Sequence, residues 1–129
     1  MNKKFLLIAG FMALMFCFSF EARAQRPMDK EVRQTIRFAR GKSSAVISKR
    51  IPLGTSHLYT LRARAGQTMT VILKTGNRTS FTIFSPSDQI MEGADGETMW
   101  RGMLDETGTY KISIGTDRTA NYRLEVYIK

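Results

Sequence analysis

The sequence predicts an all-β protein: an antiparallel two-sheet β-sandwich, jelly-roll-like, of about eight strands. Three observations carry that expectation. Short runs rich in β-branched and aromatic residues alternate apolar with polar, the period of two of a strand with one buried face. Turn-forming residues interrupt these runs every 8–12 residues or so, as in sandwiches and small barrels. Beyond the first two dozen residues, helical spacing is hinted at only by Met28, Val32 and Ile36.

Taken in order, the chain opens with a segment that does not belong to the fold. Asn2-Lys3-Lys4 is a positive n-region, Phe5 to Phe20 is almost wholly apolar, and Ala22-Arg23-Ala24 is a small–x–small cleavage pattern. Residues 1–24 therefore read as a signal peptide, the apolar run being shorter than the roughly 20 residues that span a bilayer. Cys17 follows the bulky Phe16, which argues against lipidation. Residues 25–34 read as a flexible basic leader, and residues 35–129 as one β-sandwich domain, too short for two cores.

Thr35–Ala39 is the first expected strand, closed by Gly41, and Ala45–Ile51 the second, ended by Pro52-Leu53-Gly54. Leu58–Arg64 alternates, turns at Ala65-Gly66-Gln67 and returns as Thr68–Lys74. Ser80–Phe84 follows the Gly76-Asn77 break, and Ser85-Pro86-Ser87-Asp88 opens a long acidic loop through Gly93 and Gly96. Trp100–Leu104 and Tyr110–Ile114, separated by Asp105-Glu106-Thr107-Gly108, read as a β-hairpin. Tyr122, Leu124, Val126 and Ile128 mark the last strand. The inner faces would hold Ile36, Phe38, Ile47, Tyr59, Leu61, Met69, Val71, Leu73, Phe81, Ile83, Tyr110, Ile112, Ile114, Leu124 and Val126.

Composition removes whole classes of chemistry. The one cysteine leaves with the signal peptide, so disulfides and thiol catalysis are not expected. His57 is the sole histidine and no G-x-S-x-G elbow occurs, which argues against a serine triad and places His57 at a strand edge without a role. No cofactor or metal is expected; Glu92, Asp95 and Glu97 could at most gather loosely round a calcium ion, lacking an EF-hand spacing. The protein is not expected to be an enzyme. Charge is unevenly spread: Gln25–Arg50 is strongly basic, and Asp88–Glu106 is acidic apart from Arg101. A polarised surface steers charged partners to one side.

Phe38-Ala39-Arg40-Gly41, Tyr59 through the Ala63-Arg64-Ala65-Gly66-Gln67 turn, Phe81-Thr82-Ile83-Phe84-Ser85-Pro86, Trp100-Arg101-Gly102, Thr107-Gly108-Thr109-Tyr110 and Tyr122-Arg123-Leu124 together form a pattern. It resembles the pre-peptidase C-terminal (PPC) domain, a small secreted β-sandwich with an A-x-A-G-Q turn and a late G-x-Y strand. Among free-standing relatives it is similar to the periplasmic inhibitors of goose-type lysozyme. The resemblance spans about Thr35–Ile128; its motifs specify scaffold more than function. Where several lysozyme-inhibitor families carry serine–glycine ahead of a tyrosine, this chain has Thr107-Gly108 before Thr109-Tyr110.

The resemblance implies a periplasmic or secreted, non-enzymatic binding module, its partner a lysozyme or other wall-active protein met through the hairpin loop. The expected partner-binding residues are Asp105, Glu106, Thr107, Gly108, Thr109 and Tyr110: carboxylates for cationic groups round a cleft, a hydroxyl for the catalytic acid, a glycine to keep the tip thin. The alternative, from the basic segment, is a PPC-like accessory module for an anionic envelope polymer or carbohydrate. Nucleic acid is not an expected partner, and no membrane span remains once the signal is removed.

Overall fold

The computed structural model describes residues 30–76 and 78–129, and within them the alternating runs become nine strands. They are β1 (Lys30–Thr35), β2 (Ser44–Ile51), β3 (Thr55–Ala63), β4 (Thr68–Thr75), β5 (Thr79–Phe84), β6 (Ile90–Glu97), β7 (Met99–Met103), β8 (Gly108–Thr116) and β9 (Ala120–Ile128). A five-stranded sheet has the order β1-β3-β8-β5-β6, and a four-stranded sheet the order β2-β9-β4-β7. All pairings are antiparallel except β1 with β3, which is parallel. The expected β-sandwich is the fold. The expected signal peptide, residues 1–24, and residues 25–29 of the expected leader lie outside the described residues.

The inner faces follow from side-chain alternation. Tyr59, Leu61, Phe81, Ile83, Tyr110, Ile112 and Ile114 are buried on one sheet, Met69, Val71, Leu73, Leu124 and Val126 on the other. Fully burying one such aliphatic or aromatic side chain contributes about 1.5–3 kcal/mol, and this shared interior holds the sheets together. Phe38 and Ile47, expected inside, are only partly buried against that core. β2 approaches β3, β4 approaches β5 and β6 approaches β7, each consecutive pair linking one sheet to the other.

Three local expectations are corrected. The first strand lies earlier than Thr35–Ala39: Lys30–Thr35, most of it assigned to the flexible leader, forms β1, and Ile36–Ala39 is not strand, although Ile36 still donates its N–H to Thr60 O at 2.7 Å. This strand is exposed and edge-placed, so no buried alternation marked it. The acidic stretch is not all loop, because Ile90–Glu97 is β6. Its pairing with β5 shifts register twice, and Gly93 (φ +73°) and Gly96 (φ +69°) adopt the left-handed backbone that such irregularities use. Those breaks erased the period of two from the sequence.

Third, Trp100–Ile114 is no hairpin. β7 pairs with β4 in the four-stranded sheet, whereas β8 pairs with β3 and β5 in the other. Leu104 continues the β7–β4 side, donating to Gln67 O at 2.8 Å and accepting from the Gly66 N–H at 2.7 Å. The chain then crosses over. Only β5 and β6 are consecutive strands paired antiparallel in one sheet.

Candidate functional site

The crossing segment, Asp105–Thr107, is anchored at both ends by side chains that water does not reach. Leu104 is 1% exposed and Tyr110 0%, and both belong to the core. Tyr110 OH donates to the Glu106 backbone oxygen at 2.6 Å and accepts from the Glu106 N–H at 3.3 Å. Burial raises the Tyr110 pKa; the backbone bond to Glu106 works against that, and the charges of Glu106 and Asp105 add to it. The phenol therefore stays protonated and clamps the loop. Its hydroxyl is spent on the loop backbone.

The tip itself is open. Asp105 and Thr107 are exposed, and Glu106 and Gly108 are partly so. Ser87 Oγ donates to Glu106 Oε2 at 3.0 Å, which holds that carboxylate beside the β5–β6 connection. Thr107 Oγ1 accepts from the Ala65 N–H at 2.9 Å, tying the tip to the β3–β4 turn while its own proton stays free to donate. At Gly108 an added Cβ would stand 2.9 Å from Pro86 Cβ and 3.1 Å from Pro86 Cγ, so only glycine fits the approach. Thr109 pairs with Arg62 within the sheet. Of the six candidate residues, the tip carries Asp105, Glu106 and Thr107, whereas Gly108, Thr109 and Tyr110 shape its base.

Two depressions flank this tip, with opposite character. On one side a groove of about 430 Å³ runs between the β6 and β7 edges, lined by Glu92, Asp105 and Glu106 together with Ile90, Met103 and Trp100. Trp100 sits on the edge strand β7, and its Nε1–H donates to Glu92 O at 2.9 Å, linking the two sheets. Its indole covers Gly102, where a Cβ would lie 2.5 Å from the ring. Ile90 and Met103 are 52% and 67% exposed, which makes the groove partly apolar. On the other side a pocket of about 500 Å³ is lined by Lys42, Arg62 and Arg64 along with Thr107.

The remaining acidic residues are dispersed. Asp88 pairs with Lys111 at 2.7 Å, and Asp95 accepts from Thr82 Oγ1 at 3.0 Å. Among the described residues, Glu92, Asp95 and Glu97 do not assemble into a group able to hold a metal ion.

His57 departs most from expectation. Rather than lying exposed at an edge, it is 6% exposed in the interior. Its Nδ1 is 2.6 Å from Tyr122 OH, and Tyr122 OH in turn bonds Tyr59 OH. His57 and Tyr59 stand on β3 and Tyr122 on β9, so this chain of polar groups joins the two sheets through the core. Burial, and then the charge of Lys49, lower the His57 pKa. Such an enclosed neutral imidazole is a structural element.

The residues that reasoning from sequence missed are Ala65, Pro86 and Ser87. Each touches the tip from 19 to 42 positions away in the chain. A turn composition at Ser85–Asp88 was visible, but nothing local linked it to Glu106.

No family model matches the chain, and no curated protein does. Solved structures do. PliG of Aeromonas hydrophila, described as a periplasmic lysozyme inhibitor of g-type lysozyme, is 30% identical, with a TM-score of 0.70 over 78% of this chain and 99% of that one. PliG of Salmonella Typhimurium is 22% identical, with a TM-score of 0.59 over 78% and 98% of the chains. The pre-peptidase C-terminal domain of Bacillus anthracis collagenase shares the fold at 11% identity and a TM-score of 0.52, over 78% and 96%. The chain belongs to the family of small β-sandwich proteins that includes PliG of Aeromonas hydrophila.

Proposed function

We propose that this chain is an exported, non-enzymatic inhibitor of a wall-degrading lysozyme of the goose type, acting in the periplasm through the Asp105–Thr107 tip. The observation that carries the proposal is the 30% identity to Aeromonas hydrophila PliG across 99% of that inhibitor. The geometry of the tip supports it. A glycosidase cleft works with a pair of carboxyl groups beside a bound sugar polymer. A narrow polar tip can enter where that polymer lies. Thr107 still has a hydroxyl proton to donate toward an acidic residue of the enzyme, and Asp105 is free to meet a cationic one. The Leu104 and Tyr110 anchors hold the loop before binding, so little ordering is lost on association.

The test is a wall-lysis assay with purified mature protein, Gln25–Lys129, against goose-type, chicken-type and invertebrate-type lysozymes. Replacing Asp105, Glu106 and Thr107 by alanine is expected to weaken inhibition by about 2 kcal/mol or more, the scale of an interface anchor. Thr107→Ser keeps the bond to Ala65 and separates loss of contact from loss of loop geometry. Absence of inhibition at micromolar protein would overturn the proposed function. Inhibition untouched by the triple change would move the site to the Asp88–Glu97 segment.

A further inference from the structure

We infer that the pocket on the far side of the tip, between the β3–β4 turn and the Ala39–Ser43 connection, is a binding site for an anionic saccharide, a sugar bearing a carboxylate or a phosphate. The inference does not rest on the lysozyme reading, although Thr107 belongs to both surfaces. Three cations, Lys42, Arg62 and Arg64, line a depression of about 500 Å³. Among the described residues no carboxylate lines it, and none of the four ion pairs involves these three side chains. All three are exposed, and no acid faces them within the pocket.

The neutral groups of the pocket point to the same ligand chemistry. Gln67 Oε1 accepts from the Arg64 N–H at 2.7 Å, and Thr107 Oγ1 accepts from the Ala65 N–H at 2.9 Å. With those oxygens engaged by the backbone, the Gln67 amide and the Thr107 hydroxyl are left with protons to offer. Guanidinium, ammonium, amide and hydroxyl donors therefore face one cavity, the complement of an oxyanion, and arginine's planar fork suits carboxylate and phosphate alike. The pocket also has an apolar wall, formed by Phe38 and Ile128. A bare ion has no use for that surface; the apolar face of a sugar ring does.

The experiment follows backbone amide shifts of the isotope-labelled mature protein on titration with N-acetylmuramic acid, glucose 6-phosphate, neutral N-acetylglucosamine and inorganic phosphate. Both anionic sugars are expected to shift the amides of Ser43, Arg64–Gln67 and Thr107, weakening as salt is added. The tighter of the two identifies carboxylate or phosphate as the preferred group. Arg62→Gln with Arg64→Gln is expected to weaken binding at least tenfold, and Lys42→Gln alone by a smaller factor, whereas Lys49→Gln with Arg50→Gln on β2 leaves it unchanged. Equal shifts from N-acetylglucosamine, unaltered affinity in the arginine variant, or no shifts with either anionic sugar would overturn the site. Inorganic phosphate binding as tightly as glucose 6-phosphate would overturn its assignment to a saccharide.

Discussion

Tyr122→Phe is the perturbation that asks most of the interior. The Tyr122 hydroxyl stands between His57 Nδ1, at 2.6 Å, and the Tyr59 hydroxyl, and all three residues are buried. Removing that one oxygen leaves two enclosed polar groups without a partner. An orphaned buried group costs about 1–3 kcal/mol, so the change is expected to destabilise the fold by about 2–6 kcal/mol. Tyr59→Phe leaves the Tyr122–His57 bond intact and should cost only about 1 kcal/mol. In the double variant Tyr59 no longer brings a stranded hydroxyl, so the two effects should fall short of additive by about 1 kcal/mol. Urea unfolding followed by the fluorescence of Trp100, the chain's one tryptophan, measures each value, with far-ultraviolet circular dichroism checking the fold. A domain of this size loses roughly 4–8 °C of Tm per kcal/mol, so the Tyr122 variant should also melt at least about 8 °C lower. A Tyr122→Phe cost below about 0.5 kcal/mol, a Tyr59→Phe cost equal to it, or strict additivity would refute the reasoning.

Two further outcomes follow from the same coordinates. His57 has a lowered pKa in the folded state, so as pH falls below the unfolded value of 6.5 the unfolded chain takes up the proton first. Stability is therefore expected to be complete above that pH and to decline as pH drops toward the folded pKa. Comparison of His57→Phe with the parent across pH 4–8 checks it, and an equal decline in both would remove His57 as the cause. Gly108→Ala drives a Cβ to 2.9 Å from Pro86, and overpacking of this kind costs about 1–3 kcal/mol, read from the urea midpoint. An unchanged midpoint would show that the β5–β6 connection yields freely.

What the sequence by itself determined is which face β3, β4, β5, β8 and β9 turn inward. Tyr59, Leu61, Met69, Val71, Phe81, Ile83, Tyr110, Ile112, Ile114, Leu124 and Val126 were readable as core because successive side chains on a strand alternate sides, and all are buried. The Ala65-Gly66-Gln67 turn was legible too, Gly66 taking a φ of +89°, since a tight turn demands particular residues locally. Which strand lies beside which was decided only in three dimensions. A polar break between two alternating runs serves a hairpin and a crossing between sheets equally well, and the choice at Asp105–Thr107 rests on Leu104 bonding Gly66 and Gln67 in the other arm of the chain. The same holds for His57, whose burial depends on Tyr122, 65 positions away. It holds for Thr107, whose acceptor oxygen is taken by Ala65, 42 positions away. Alternation is a property of neighbours along the chain; pairing, enclosure and the engagement of a hydroxyl belong to residues that meet only when both sheets close on one interior.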